Sequence, residues 1–157
     1  MSLPMTRIDR DVATRAFNHA LEHHEQAFER FFIAKLLGFE ISYPDDTCRV
    51  EFAVADFMYN PQGSLHGGVV ALAMDVSMGH LLNRLQGPGA TLEMKIQYLR
   101  AVRGGRAIAT GSVLRRGSSI AFLESRLTNQ DGELAAMATS TWRTSPAKPR
   151  EPGLPRT

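Results

Sequence analysis

The sequence is poor in cysteine, in net charge and in long apolar runs, and each shortage excludes a class of protein. Cys48 is the single cysteine among 157 residues, so no disulfide forms within the chain and a reducing compartment is expected. A formal net charge of +2 is too small to predict nucleic-acid binding. No uncharged apolar run reaches about 18 residues, and no signal peptide is recognisable. We therefore expect a cytoplasmic protein that binds neither membrane nor nucleic acid.

The composition fits one globular domain with an addition at each end. Hydrophobic residues make up 43% of the chain and charged residues 22%, which is enough for a substantial core. Residues 1–35 are predicted to be an N-terminal extension with one amphipathic helix over residues 9–32. Residues 36–144 form the main domain. Residues 145–157, with four prolines and no periodicity, are predicted to be a disordered tail.

The N-terminal helix contains the pattern H-x-x-E-H, at His19, Glu22 and His23. On a helix this pattern can place two imidazoles around zinc. Metalloproteases with the pattern are much larger than this chain, and no third ligand is evident. We expect no metal site, and both histidines are expected to face solvent.

The most informative stretch runs from Asn60 to Leu85. A turn-rich segment ends in the pair Gly67-Gly68 and leads into about five turns of sequence that is compatible with a helix and apolar on nearly every face. Such a helix has to be buried all round. It nevertheless carries one carboxylate, Asp75, and a buried charge without a partner is costly enough to indicate a function.

The glycine pair and Asp75 supply complementary chemistry. Glycines at a helix N-terminus leave backbone N–H groups accessible to an anion or a developing oxyanion, and a carboxylate can act as a general base or nucleophile. Gly67 and Asp75 lie about 12 Å apart along one helix axis, too far to share a carbonyl group. Two antiparallel copies of the helix across a two-fold axis would bring them together. We therefore predict an obligate dimer with two shared sites.

Strand-like segments flank this helix on both sides. Residues 38–43 and 47–54 are predicted to form a hairpin, and four further strands are predicted at residues 90–101, 106–115, 119–129 and 134–144. Short turns between the last four predict an antiparallel meander. The fold class is therefore α+β, with the sheet wrapped around the central helix.

The spacing Asn60-x5-His66-Gly67-Gly68-x6-Asp75 resembles the signature of hotdog-fold thioesterases of the PaaI (phenylacetic acid degradation) type. The resemblance continues through residues 91–100, TLEMKIQYLR, and covers about residues 36–144. It implies a long helix wrapped by an antiparallel sheet of about six strands, with dimers joined edge to edge that often pair into tetramers. It also implies hydrolysis of an acyl-CoA thioester without a metal or cofactor, coenzyme A being part of the substrate.

The resemblance also assigns roles to five catalytic candidates. Asp75 would be the general base or the nucleophile, and the backbone N–H of Gly67 would polarise the thioester carbonyl. His66 and Asn60 would position the carbonyl or the attacking water, although Asn60 before a proline is also a common turn residue. Thr91 would orient the water beside the carboxylate.

Strict alternation along the strand places Thr91 on the same face as Glu93 and Lys95, away from Leu92 and Met94. Thr91 can therefore reach a buried helix only through a bulge, a strong twist or a strand end.

Arginines accumulate at the predicted strand ends and turns of the second half of the chain. Arginine binds phosphates well, and a CoA thioester brings phosphates, although a solvated rim is the alternative reading. The preferred CoA contacts are at Arg115, Arg116 and Gly117, and Arg100 and Gly68 are further substrate-binding candidates.

Two other functions remain open at this point. A hotdog dehydratase or hydratase would use His66 as its base. A non-catalytic acyl-CoA binding module would use the N-terminal helix to contact a partner, and it would gain nothing from Asp75. The acyl group can be aromatic or aliphatic, because methionine-rich walls adapt to several shapes.

Overall fold

The computed structural model describes residues 8–144, so the predicted tail at residues 145–157 lies outside the described residues. The helices are α1 (Arg10–His23), α2 (Phe32–Leu36) and α3 (Gly67–Gln86), with a short 3-10 turn at Asp56–Met58. The strands are β1 (Glu40–Ser42), β2 (Cys48–Ala53), β3 (Gly89–Tyr98), β4 (Arg106–Arg116), β5 (Ile120–Asn129) and β6 (Leu134–Thr144). No helix in the described part of the chain is long and apolar enough to cross a membrane.

The strands form one antiparallel sheet in the order β1-β2-β4-β5-β6-β3. The predicted fold class, a six-stranded antiparallel sheet around a long helix, is confirmed. The predicted meander is right for β4 to β6 but wrong for β3, which pairs with β6 instead of β4. Residues 99–105 explain the difference, because they are longer than an ordinary hairpin loop and carry the chain across to β2. As a result, β3 is an edge strand.

Helix α3 fills the concave face of the sheet. Its fully buried side chains include Met74, Met78 and Leu82. The backbones approach closely at Gly111 of β4, where an added Cβ would lie 2.6 Å from the carbonyl oxygen of Ser77. A side chain there would push the helix off the sheet. The sheet covers one side of the helix, and Phe28 and Phe31 from the segment between α1 and α2 pack against His80 on another.

The prediction of a single helix over residues 9–32 is wrong. Helix α1 begins after the N-cap Asp9 and ends at His23, and α2 starts only at Phe32. Between them Glu29 has a backbone φ of 71°, which no α-helix contains. Its N–H donates a 2.9 Å hydrogen bond to Nε2 of His80 on α3. A contact 51 residues away in sequence therefore breaks the helix that local spacing predicts.

His80 fixes the segment between α1 and α2 against the core. Its side chain is 5% exposed, and the ring of Phe28 packs edge-on at 5.0 Å. Because Nε2 accepts the Glu29 N–H, the imidazole has to be neutral with its proton on Nδ1. Burial lowers the pKa of His80, opposed by the nearby Glu29 carboxylate and by a hydrogen bond to the Val76 backbone.

We expect this histidine to make the fold less stable in mild acid. Its pKa is lower in the folded chain, so the unfolded chain takes up the proton first. The stabilisation is fully present above the unfolded pKa of about 6.5 and is lost below it, by at most about 1.4 kcal/mol per pH unit. Urea unfolding between pH 7.5 and 5.5 should show a smaller loss of stability for His80→Gln than for the wild type. Equal losses would contradict the prediction.

Candidate active site

The loop before α3 is shaped by Asn60. Its Oδ1 accepts backbone N–H groups from Gln62 at 3.0 Å and from Ser64 at 3.2 Å, and its Nδ2 donates to Ser64 Oγ at 3.1 Å. These are the contacts of an Asx turn, as expected for an asparagine before proline. Asn60 also lines the cavity beside Gly67. Asn60 therefore fixes the conformation of the loop that precedes the N-terminus of α3.

His66 caps α3 with its ring. Nδ1 accepts the N–H of Gly68 at 2.8 Å, so a neutral ring carries its proton on Nε2. A ring in this tautomer, with Nδ1 already occupied, has no free lone pair to act as the base of a dehydratase. A side chain at residue 68 would crowd the capping ring, because an added Cβ on Gly68 would lie 3.0 Å from Nδ1.

Gly67 is the first residue of α3, and its N–H finds no acceptor within residues 8–144. Gly67 lines a cavity of about 360 Å³ together with Asn60, Tyr98 and Arg100. The phenol of Tyr98 covers the Cα of Gly67 and donates a 3.0 Å hydrogen bond to its carbonyl oxygen. The sequence did not predict this role of Tyr98, because the strand pattern indicated only a tyrosine near the end of a strand.

Asp75 is partly buried on α3 and meets Thr91 at the start of β3. The Thr91 hydroxyl donates a 2.9 Å hydrogen bond to Oδ1 of Asp75. Burial raises the pKa of the carboxyl group above its ordinary value, and the Thr91 hydrogen bond partly opposes the rise. A carboxylate in this environment is a stronger base than one in water.

A bulge in β3 brings Thr91 to the helix. Thr91 pairs with Trp142 and Glu93 pairs with Thr141, which leaves Leu92 as the extra residue. Beyond the bulge Met94 pairs with the buried Ser140, so Thr91 and Met94 share the inner face of the sheet. The bulge at Leu92 is therefore the departure from strict in-out alternation that a contact between Thr91 and the helix requires.

The candidate residues form two groups within one chain. Gly67 lies against Tyr98 at one end of β3, and Asp75 lies against Thr91 at the other end. The eight residues between Gly67 and Asp75 correspond to about 12 Å of helix. The cavity at Gly67 has no lining contribution from Asp75. Within one described chain the two groups of candidate residues are therefore separate.

The predicted CoA contacts at residues 115–117 lie at the far end of α3 from Gly67. Arg116 Nη1 donates to the carbonyl oxygen of Leu85 at 3.4 Å, and an added Cβ on Gly117 would lie 2.8 Å from the Ile120 carbonyl oxygen. The structure thus separates these residues from the cavity at Gly67 within one chain.

Arg100 lies closer to that cavity. It lines the cavity and also an adjoining groove of about 490 Å³, which continues past Arg103 and Gly104. Its Nη1 is 3.5 Å from the Glu133 carboxylate in an exposed ion pair. Arg103 reaches this groove through the loop before β4, whose course cannot be read from strand spacing.

The H-x-x-E-H pattern forms no metal cluster in the described part of the chain. His19 and His23 are exposed and stack with ring centroids 4.2 Å apart. No group of three or more potential ligands arranged for a metal occurs within residues 8–144.

The free edge of the sheet lies beside both groups of candidate residues. Among the strands of residues 8–144, β3 pairs only with β6. Three large apolar side chains on β3 or directly after it are more than half exposed: Leu92, Tyr98 and Leu99. An uncovered edge strand is a template for pairing with another chain.

Comparisons with known proteins relate this architecture to characterised ones. The sequence pattern of the thioesterase superfamily matches residues 62–136. The medium/long-chain acyl-CoA thioesterase YigI of Salmonella typhimurium is 33% identical over 134 residues, covering 69% of this chain and 82% of that protein. The BH2602 protein of Bacillus halodurans, determined with CoA, has a TM-score of 0.78 at 23% identity, covering 92% of this chain and 98% of that one. A phenylacetic acid degradation-related protein of Ralstonia eutropha has a TM-score of 0.68 at 24% identity, covering 82% and 99%.

Proposed function

Since the chain belongs to the thioesterase superfamily, we propose that it is an acyl-CoA thioesterase, which hydrolyses a thioester of coenzyme A to the free acid and CoA. The observation that carries the proposal is the hydrogen bond between Asp75 on α3 and Thr91 on the inner face of β3. A purely structural carboxylate would be expected to find several donors there, whereas Asp75 has one hydroxyl partner among the described residues and a raised pKa. This leaves Oδ2 available for water or substrate.

The site is completed by a second copy of the chain. If two copies join along their β3 edges with a two-fold axis, the α3 helices beside those edges lie antiparallel. Gly67 of one subunit then faces Asp75 of the other, which one chain alone cannot arrange. The exposed apolar side chains on the β3 edge support this dimer, since a stable homodimer interface is more apolar than ordinary surface. Two such dimers would form the tetramer.

In the shared site the Gly67 N–H, at the positive end of α3, binds the thioester carbonyl oxygen and stabilises the negative charge that develops on it. Donors of this kind contribute about 3 to 4 kcal/mol in other acyl-transfer enzymes. Asp75 of the other subunit either takes a proton from water, whose oxygen attacks the carbonyl carbon, or attacks that carbon itself to give a mixed anhydride that water opens. In both routes the carbon–sulfur bond breaks and CoA leaves as its thiol.

The CoA portion extends from the cavity at Gly67 along the adjoining groove. Arg100 lines both the cavity and the groove, and Arg103 lines the groove alone. Both guanidinium groups can bind phosphate oxygens through paired N–H donors. Arg115 and Arg116 would contribute to this part of the substrate only from another subunit.

The proposal is tested by thiol release from a panel of aliphatic and aromatic acyl-CoAs. The panel should contain at least one thioester that the purified protein hydrolyses with saturation kinetics. Binding of acyl-CoA, measured by calorimetry, without thiol release from any member would support the binding module instead.

Thr91→Val is expected to lower kcat roughly 10-fold, because an isosteric side chain removes the hydroxyl that orients the carboxylate and the water. The same hydroxyl lowers the pKa of Asp75, so its loss should move the acidic limb of the rate profile to higher pH. Thr91→Ser keeps the hydroxyl and is the matched control. Steady-state rates between pH 4 and 8 check both effects, and an unshifted limb in Thr91→Val would count against this arrangement.

A further inference from the structure

One peptide unit at the start of α3 is held by side chains at both of its polar atoms. The carbonyl oxygen of the Gly67–Gly68 peptide accepts the Tyr98 hydroxyl at 3.0 Å, and its N–H donates to Nδ1 of His66 at 2.8 Å. We call this pair of contacts the peptide clamp. A glycine on each side leaves this peptide without any Cβ to restrict its rotation. The two side-chain hydrogen bonds therefore add to the restraint that the first turn of α3 provides.

Tyr98 is itself firmly placed although its side chain is 57% exposed. It is the last residue of β3, and the N–H groups of the next two residues, Leu99 and Arg100, both donate to the carbonyl oxygen of Ala135, at 2.8 and 3.1 Å. The phenol ring occupies the space where a residue 67 side chain would be, since an added Cβ would lie 3.3 Å from Cε1. The ring thus packs on the glycine while its hydroxyl bonds to the same residue.

The clamp acts on the neighbouring peptide. The Gly67 N–H, which has no acceptor within residues 8–144, belongs to the peptide just before the clamped one. The carbonyl oxygen of that same peptide, which belongs to His66, already accepts the N–H groups of Val69 and Val70 at 2.9 and 3.2 Å. The clamp adds a restraint from the other side, because it fixes the peptide that follows Gly67 and so limits rotation about the Gly67 backbone bonds. An oxyanion donor is effective when its direction is fixed before the charge develops.

We propose that Tyr98 is a positioning residue, which together with His66 clamps the Gly67–Gly68 peptide and thereby aims the Gly67 N–H at the substrate carbonyl. The proposal rests on the function proposed above. It also gives His66 a defined role: its Nδ1 holds the peptide, and its protonated Nε2 is left as a donor. Neither residue exchanges a proton with the substrate in this scheme.

The first test is the activity of Tyr98→Phe, which keeps the ring against Gly67 and removes only the hydroxyl. We expect kcat to fall roughly 10-fold while KM changes less than about threefold, because an ill-directed donor weakens transition-state binding more than substrate binding. Tyr43→Phe is the control, because it removes a hydroxyl that is bonded to Glu29 and neither residue lines the cavity; it should keep wild-type kcat. Equal kcat values for Tyr98→Phe and the wild type would overturn the proposal.

The second test does not depend on activity. Amide hydrogen exchange of Gly68, followed by NMR, should accelerate roughly 5-fold in Tyr98→Phe, as expected when a flanking hydrogen bond is lost. His66→Ala should accelerate it further, whereas His66→Asn supplies another N-cap oxygen and should restore protection. A protein that releases thiol from no acyl-CoA overturns only the proposed function, because exchange at Gly68 still decides whether the clamp exists. Unchanged exchange in both Tyr98→Phe and His66→Ala overturns the clamp.

Discussion

Replacing Asp75 with asparagine is expected to lower kcat for the preferred acyl-CoA by at least two orders of magnitude while KM stays nearly constant. Asparagine keeps the size of the side chain and can still accept the Thr91 hydroxyl, so the fold and substrate binding should survive. What disappears is the anion, and with it both the general base and the nucleophile. A loss in kcat at constant KM is the signature of a group that acts in the transition state.

The control for Asp75→Asn is Asp46→Asn, which removes an exposed carboxylate from the turn between β1 and β2. Thiol-release kinetics are measured on both variants, with circular dichroism to establish folding. The comparison separates a catalytic role of Asp75 from a general effect of removing one negative charge. The wild-type rate should also decline in acid, at a pH above the ordinary aspartate pKa of 3.8, because burial raises the pKa of Asp75 and only the ionised form is active. An Asp75→Asn protein with more than about a tenth of wild-type kcat would make Asp75 a structural residue.

The parts of the fold that local sequence determines could be predicted. Helix α3 was recognisable because a long apolar run follows a glycine pair, and it ends at Gln86, just before Gly87 and Pro88. The later strands were recognisable from alternation and from glycine-containing turns. In these segments the residues that decide the structure are neighbours in the chain.

The errors and omissions share one cause, which is contact between distant residues. The N-terminal helix breaks because Glu29 bonds to His80, and the meander fails because β3 pairs with β6. Tyr98 went unrecognised because its partner, Gly67, is 31 residues away. Thr91 is the intermediate case: alternation required an irregularity, but only the pairing of β3 with β6 places it at Leu92.

The shared site makes the strongest prediction for a mixed dimer. Asp75→Asn and Gly67→Val should each be nearly inactive alone, the second because a valine side chain would meet the Tyr98 ring and cover the N–H. Co-expressed with different affinity tags and purified through both, the two variants form a heterodimer. If each site joins Gly67 of one subunit to Asp75 of the other, one site carries both substitutions and the second carries neither, so about half of wild-type activity should return. If the site lies within one chain, every site in the heterodimer is defective and no activity returns. Size-exclusion chromatography with light scattering determines whether the purified species is a dimer or a tetramer, and two differently tagged Asp75→Asn chains purified in the same way provide the inactive control.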